Sequence, residues 1–420
     1  MKLKFLCLCL FIYSLYQSGY CQANKFVIDE LKLSLYYLSD TSTEKDVTFL
    51  DDDLIKLNHE KITDGTIFYK DYANVRIGNK YGFIDKRGNV KLFPDYAAVM
   101  WTDGPLGVAL KNDKIGYVDR EGNVKVSMQY NMGTFFYNHL AVVRKDSTYS
   151  LLSENGQSLL SSDKLIFPPG ITPLITFLSD TGIGMMSENK SVVIEPIYRY
   201  LIGAENGLIK AVNRNKTYGS LDATGNVIIP FEYENIKIAR SGELIPAKKN
   251  GKWGYINIKN EMVINFIYDE AYFFSEGLAA VVVQKKTGFI DKNGKFVIEP
   301  QYDFSFNFGS NYSFNGGISP VFINKKWGFI DKKGTVLITP SYDYVTGFNK
   351  EKAIVGINKK YGIIDKRGNT LIPLVNDKIQ RSENGIFKVV NGKDKWPEDN
   401  GMENLEAINL YKTLMYLYKN

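Results

Sequence analysis

The segment Lys325-Lys326-Trp327-Gly328-Phe329-Ile330-Asp331-Lys332-Lys333-Gly334, followed by Pro340-Ser341-Tyr342-Asp343, decides the fold, because it is written many times along the chain. Tyr81-Gly82-Phe83-Ile84-Asp85, Trp253-Gly254-Tyr255-Ile256 and Tyr361-Gly362-Ile363-Ile364-Asp365 are further copies of its centre. Aligned on the first glycine, the copies fall at Gly82, Gly116, Ser150, Gly184, Gly219, Gly254, Gly288, Gly328 and Gly362. Their spacing is 34 or 35 residues except for one interval of 40, which marks an insertion around Asn307 to Gly317. A fixed period of this length is the signature of a repeat architecture.

Each column has a physical reading. Asp85, Asp119, Asp222, Asp291, Asp331 and Asp365 stand three residues after the anchor. Gly88, Gly122, Gly225, Gly294, Gly334 and Gly368 follow three residues later. Asp-x-x-Gly fits a type I turn closing a hairpin, with a glycine bulge where φ turns positive. The Trp-Gly-Phe-Ile string is then one strand and Lys295-Phe296-Val297-Ile298, for example, the next. Pro94, Pro196, Pro300 and Pro340 are expected to end that second strand, since proline lacks the N–H a ladder needs. Apolar runs such as Leu278-Ala279-Ala280-Val281-Val282-Val283 supply a third strand ahead of the anchor. The expected fold class is therefore all-β, in tandem three-stranded antiparallel units over residues 65–395.

One such unit is too small to stand alone. About six buried apolar side chains contribute on the order of 10–18 kcal/mol, and ordering some thirty residues at about 1 kcal/mol each costs at least as much. Neighbouring units must share a core. Nine copies of three strands point to an open twisted β-solenoid-like array, with a closed β-propeller-like ring as the alternative.

These residues resemble the WG-repeat family, in which Trp-Gly or Tyr-Gly precedes Phe-Ile-Asp-Lys-x-Gly and the copy ends in Pro-x-Tyr-Asp. The resemblance covers roughly residues 65 to 390 and departs from the pattern at Ser150, Met185-Met186 and Thr287. It implies a repeat scaffold and no particular reaction.

The ends differ from the repeats. Lys2 and Lys4 followed by the apolar run Phe5 to Tyr16 read as a signal peptide over residues 1–21. Cys7, Cys9 and Cys21 all lie within it, so the mature chain has no thiol for a disulfide, a metal or a nucleophile. Lipid anchoring at Cys21 is a secondary expectation. Export to the periplasm, the outer surface or the medium follows, with no transmembrane segment in the mature chain. Residues 22–64 read as an N-terminal cap, with Asp51-Asp52-Asp53 as a solvated acidic turn. Residues 396–420 read as a C-terminal helical cap, because Leu405, Ile408, Tyr411, Met415 and Tyr418 recur at helical spacing; residues 402–418 could also drive self-association.

Little in the chain points to chemistry. A net charge of +6 from 52 basic and 46 acidic residues is too mild for a nucleic-acid binder. His59 and His139 are far apart, with no second ligand at metal spacing. The repeated aspartates could pair as a glycosidase needs, yet turn geometry already accounts for them in every good copy. No catalytic residue, cofactor or metal site is expected, and the chain reads as non-enzymatic. The candidate binding residues are Trp253, Trp327 and Tyr361 in the anchor column, with the turn lysines Lys285, Lys286, Lys325, Lys326, Lys359 and Lys360. Lys248-Lys249 join the same column, and Lys86-Arg87, Lys332-Lys333 and Lys366-Arg367 form a second one. Stacked lysines would make a basic stripe for an acidic protein or anionic glycan, or they are simply good residues for exposed turns. The expected function is an exported or envelope-associated scaffold for a protein or glycan partner. A hydrolase acting on an envelope polymer and a self-associating structural protein are the alternatives.

Overall fold

The computed structural model describes residues 46–392 apart from 102–103, 137–138, 164, 168–173, 204–206, 239–243 and 306–311. The signal segment, Cys21, the helical cap and the proposed self-association segment lie outside these residues. The described chain is all β, with no helix, and is built of repeated small antiparallel sheets. It divides into two compact units: the described residues up to Leu201 with Ser382–Ile386 and Gly392, and Ile202–Arg381 with Phe387–Asn391.

The modules have four strands, not three. In the second unit, Tyr344–Val345, Lys352–Ile357, Lys360–Asp365 and Thr370–Asn376 form one sheet in chain order. In the first unit, Asp64–Gly65, Tyr72–Ile77, Lys80–Asp85 and Val90–Phe93 do the same. The added strand is the short segment just ahead of the apolar strand, which in the second unit follows Tyr342-Asp343 directly. It is only two residues long in these modules, too short to show alternation, and the next apolar strand captures it. Around the insertion two modules merge: Asp303 pairs with Phe322, giving a sheet of seven strands.

The anchor glycine is required by close approach rather than by a special backbone angle. Trp253 pairs with Tyr268 and Tyr255 with Ile264, so three residues of the outer strand bulge over Gly254 alone. A Cβ on Gly254 would meet the Ile264 carbonyl oxygen at 2.6 Å, and one on Gly328 would meet that of Ile338 at 2.6 Å. Pro196, Pro300 and Pro340 lie inside such bulges, within their strands rather than at the ends. This corrects the sequence expectation, and the reason is that the bulged residues pair with no neighbouring strand, so the ladder needs no N–H from these prolines. Pro94 alone follows its strand, which stops at Phe93. Ser150 breaks the glycine column because its outer strand pairs in register there: Ser150 faces Ser161, their hydroxyl oxygens 3.0 Å apart.

The Asp-x-x-Gly turns are as read. The Gly334 amide donates to the Asp331 carbonyl at 3.0 Å, and Gly334 has φ +85°. The Asp331 side chain accepts the amides of Lys333 and Thr335 at 2.9 and 2.8 Å. The same clasp recurs before the first module. Asp51 Oδ1 accepts the amides of Asp53 and Ile55 at 3.0 and 2.8 Å, with Leu54 at φ +66° in the glycine place. Thr48 stands in the anchor register, 34 residues ahead of Gly82. Residues 46–58, expected as a cap, thus carry the second half of a further copy.

Neighbouring modules share their interiors. Buried Tyr255, Ile264 and Tyr268 of the Gly254 module pack with Ala279, Val281 and Ile290 of the Gly288 module. In the first unit, Val108 and Tyr117 pack with Ala141 and Leu152. Tyrosine hydroxyls lock the joint. Tyr255 donates to the Tyr272 carbonyl and Tyr117 to that of Thr134, both at 2.8 Å. The tyrosine of the Pro-x-Tyr column does likewise: Tyr302 reaches the Gly334 carbonyl and Tyr96 that of Gly122, both at 3.0 Å.

Candidate binding surface

The apolar strand and the anchor strand are joined by two-residue turns. Gln284-Lys285, Asn324-Lys325 and Asn358-Lys359 all have positive φ at both positions, between +49° and +62°. This is the type I′ geometry whose twist matches a hairpin, and asparagine adopts it at low cost. Lys285, Lys325 and Lys359 therefore occupy the turn tips of three successive modules of the second unit. They are exposed, and their ammonium groups make no hydrogen bond or ion pair among the described residues.

The second lysine of each pair is engaged. Lys286 Nζ lies 2.6 Å from Asp303 Oδ1, and Lys326 and Lys360 bind Asp343 and Asp377 in the same way. The other oxygen of these carboxylates takes a backbone amide of the following module: Asn324 to Asp303 at 3.0 Å and Asn358 to Asp343 at 2.8 Å. The lysine beside each aspartate and the amide it accepts hold Asp303 and Asp343 below the ordinary carboxylate range. The last residue of Pro-x-Tyr-Asp is thus a staple between modules. Lys248-Lys249 do not belong to this column. They end the strand Ile245–Lys249, the turn falls on Asn250-Gly251, and Lys249 pairs with Glu232 at 3.0 Å. The second basic column is largely neutralised too, with Lys86 on Asp71 at 2.7 Å, Lys332 on Glu276 at 3.0 Å and Lys366 on Glu351.

The anchor aromatics do not form a contact row. Trp253 and Trp327 are 3% and 4% exposed and pack into the shared cores. Tyr361 is half-buried, edge-on to Tyr344. The alternation of the anchor strand puts the tryptophan on the same face as Tyr255 or Phe329, which is the core face. His139 is exposed beside Glu154 at 3.0 Å and His59 is exposed. Among the described residues no cluster of three or more His, Cys, Asp or Glu could hold a metal ion, and no helix is long and apolar enough to cross a membrane.

What does face solvent is the outer strand. Val227–Tyr233, Met262–Tyr268, Val336–Tyr342 and Thr370–Asn376 each end their sheet. They expose Val227; Met262, Val263 and Ile267; Val336 and Leu337; and Leu371 and Val375, the last at 65%. Val297 of the Gly288 module continues the series. Both faces of these strands carry apolar residues, and only one face can be covered. The signal was present in unbroken apolar pairs such as Met262-Val263 and Val336-Leu337.

Comparison with known proteins agrees with the repeat. Among solved structures, a eukaryotic initiation factor is 8% identical, covering 83% of this chain and 98% of its own at a TM-score of 0.46. BamB from Moraxella catarrhalis is 9% identical, covering 79% and 99% at 0.33. The computationally designed Ika8 protein is 12% identical, covering 60% and 93% at 0.33. No curated protein matches the sequence. The model of the WG containing repeat matches residues 115–149, 218–253, 253–286, 288–327, 327–361 and 361–396. Six matched copies, spanning half of the chain, share an anchor glycine that the bulged outer strand demands, and this chain belongs to the WG containing repeat family.

Proposed function

We propose that the chain is a non-enzymatic scaffold of the cell envelope or exterior that binds a protein partner along the outer strands of its modules. The observation that carries this reading is a recurrent exposed apolar position: Val263, Val297 and Leu337 each stand nine residues after the anchor glycine of three successive modules. Exposed apolar surface of this kind marks protein contacts. Proline and the bulge in Phe296–Asp303 and Val336–Tyr342 discourage strand addition, so side chains rather than backbone would make the contact. The signal-like first 21 residues support export.

The test is capture of envelope proteins by the mature chain and by a variant carrying Val263→Glu, Val297→Glu and Leu337→Glu. Loss of the captured species in a variant with an unchanged β-sheet spectrum supports the reading; undiminished capture refutes it. A second reading, an anionic glycan on the free lysine row, rests on Lys285, Lys325 and Lys359. It predicts that Lys→Glu at these three sites abolishes capture, and that salt alone does so for the parent.

A further inference from the structure

The module of Gly219 breaks the repeat at one spot. The residue after the anchor position is aromatic in five other copies (Phe83, Tyr117, Tyr255, Phe289 and Phe329) and aliphatic or Met in three (Leu151, Met185 and Ile363), and here it is Ser220. Its cross-strand partner is Lys210, where Ala280 faces Phe289 in the Gly288 module. Directly opposed residues share one face of a sheet, so the ring and its small partner are replaced by a serine and a lysine on that face. Ser220 is fully buried and its Oγ has, among the described residues, no hydrogen-bond partner. Lys210 Nζ has, among the described residues, one acceptor, Asn235 Oδ1 at 3.3 Å, and lies 4.9 Å from the Tyr218 ring.

A second lysine stands close by. Lys237 follows Asn235 by two residues, and its Nζ meets Glu270 Oε1 at 2.6 Å and the Ala271 carbonyl at 2.8 Å. It lies over the rings of Trp253 and Tyr272 at 4.3 and 4.6 Å. Burial, and then the charge of Lys237, push Lys210 down to about 8; burial also lowers Lys237. Among the described residues, two ammonium groups and one carboxylate leave one positive charge without a counter-charge in a largely desolvated place, which is costly unless an anion supplies it.

We infer that Lys210, Ser220 and Lys237 form a binding site for a small monocarboxylate, whose oxygens accept from both lysines and from the Ser220 hydroxyl. A monoanion balances the charge, whereas a phosphate dianion overcompensates it. Nothing in this inference depends on the outer-strand reading.

The test uses the mature chain with its lysines reductively methylated with carbon-13, so that each dimethyl-lysine gives one resonance, assigned through Lys210→Arg and Lys237→Arg. Acetate replaces chloride at constant ionic strength. The expected result is saturable movement of the Lys210 and Lys237 resonances and a rise in the Lys210 titration midpoint. The double variant Lys210→Ala with Ser220→Phe installs the Ala–Phe pairing of the Gly288 module, so it should fold, and its Lys237 resonance should stop responding. Absence of movement in the parent, or an equal Lys237 response in the folded double variant, overturns the site. Tighter saturation by inorganic phosphate than by acetate overturns the carboxylate assignment.

Discussion

Asp303 ties Lys286 of its own module to the backbone of the next: one carboxylate oxygen lies 2.6 Å from Lys286 Nζ and the other accepts the Asn324 amide at 3.0 Å. The same triangle closes at Asp269 with Lys252 and Gln284, and at Asp343 with Lys326 and Asn358. The two bonds are not equal. An exposed ion pair is worth about 0–1 kcal/mol, whereas the amide bond holds a type I′ turn in place. Asp303→Ala should therefore destabilise by about 1–2 kcal/mol, combining both losses. Lys286→Met should cost about 0.5 kcal/mol or less. Denaturant midpoints of the two variants check the order; equal losses would show that the ion pair, not the turn, matters.

Gly254 lies under the Ile264 carbonyl, whereas Ser150 faces Ser161 across regular pairing. Gly254→Ala should lower stability by about 1–3 kcal/mol, since the outer strand must move to admit the methyl group. Ser150→Gly should cost only about 0.5–1 kcal/mol, from backbone entropy. Thermal melts of the two variants decide it.

Lys190 occupies the turn-glycine place of the Gly184 module at φ +68°, a conformation that glycine adopts without penalty. Its amide donates to the Ser187 carbonyl at 3.0 Å, a bond that glycine would keep. Lys190→Gly should stabilise the chain by about 1 kcal/mol. A lower melting temperature would contradict the turn assignment there.

The turn aspartates make stability depend on acid. Hydrogen bonds from Thr224 and Asn226 lower Asp222 to about 2, and Asp85, Asp331 and Asp365 are lowered as well. A carboxyl whose pKa falls on folding favours the native state when ionised. That contribution is fully present above the unfolded value, about 3.9, and is lost as pH falls through the folded value near 2 for Asp222. Denaturant midpoints should be flat above about pH 5 and drop between about pH 4 and 2. Asp222→Asn should flatten part of that drop.

Several features were legible in the residues alone because each is a local backbone requirement. The period, the Asp-x-x-Gly hairpin and the apolar strand before the anchor follow from turn chemistry and strand patterning within about ten residues. Tertiary structure decided the rest. Only a neighbour could recruit the two residues Tyr344–Val345 as a fourth strand, bury Trp253 and Trp327, or reveal that Asp303 reaches the next turn. The anchor glycine was visible as a column, but its cause, a carbonyl 2.6 Å from an absent Cβ, belongs to the strand ten residues later. Likewise Lys210 and Ser220 were in plain view, yet nothing joins two residues ten apart until strand pairing sets one opposite the other. A repeat's period is written in its turns, while its contacts are made between copies, and no single copy encodes them.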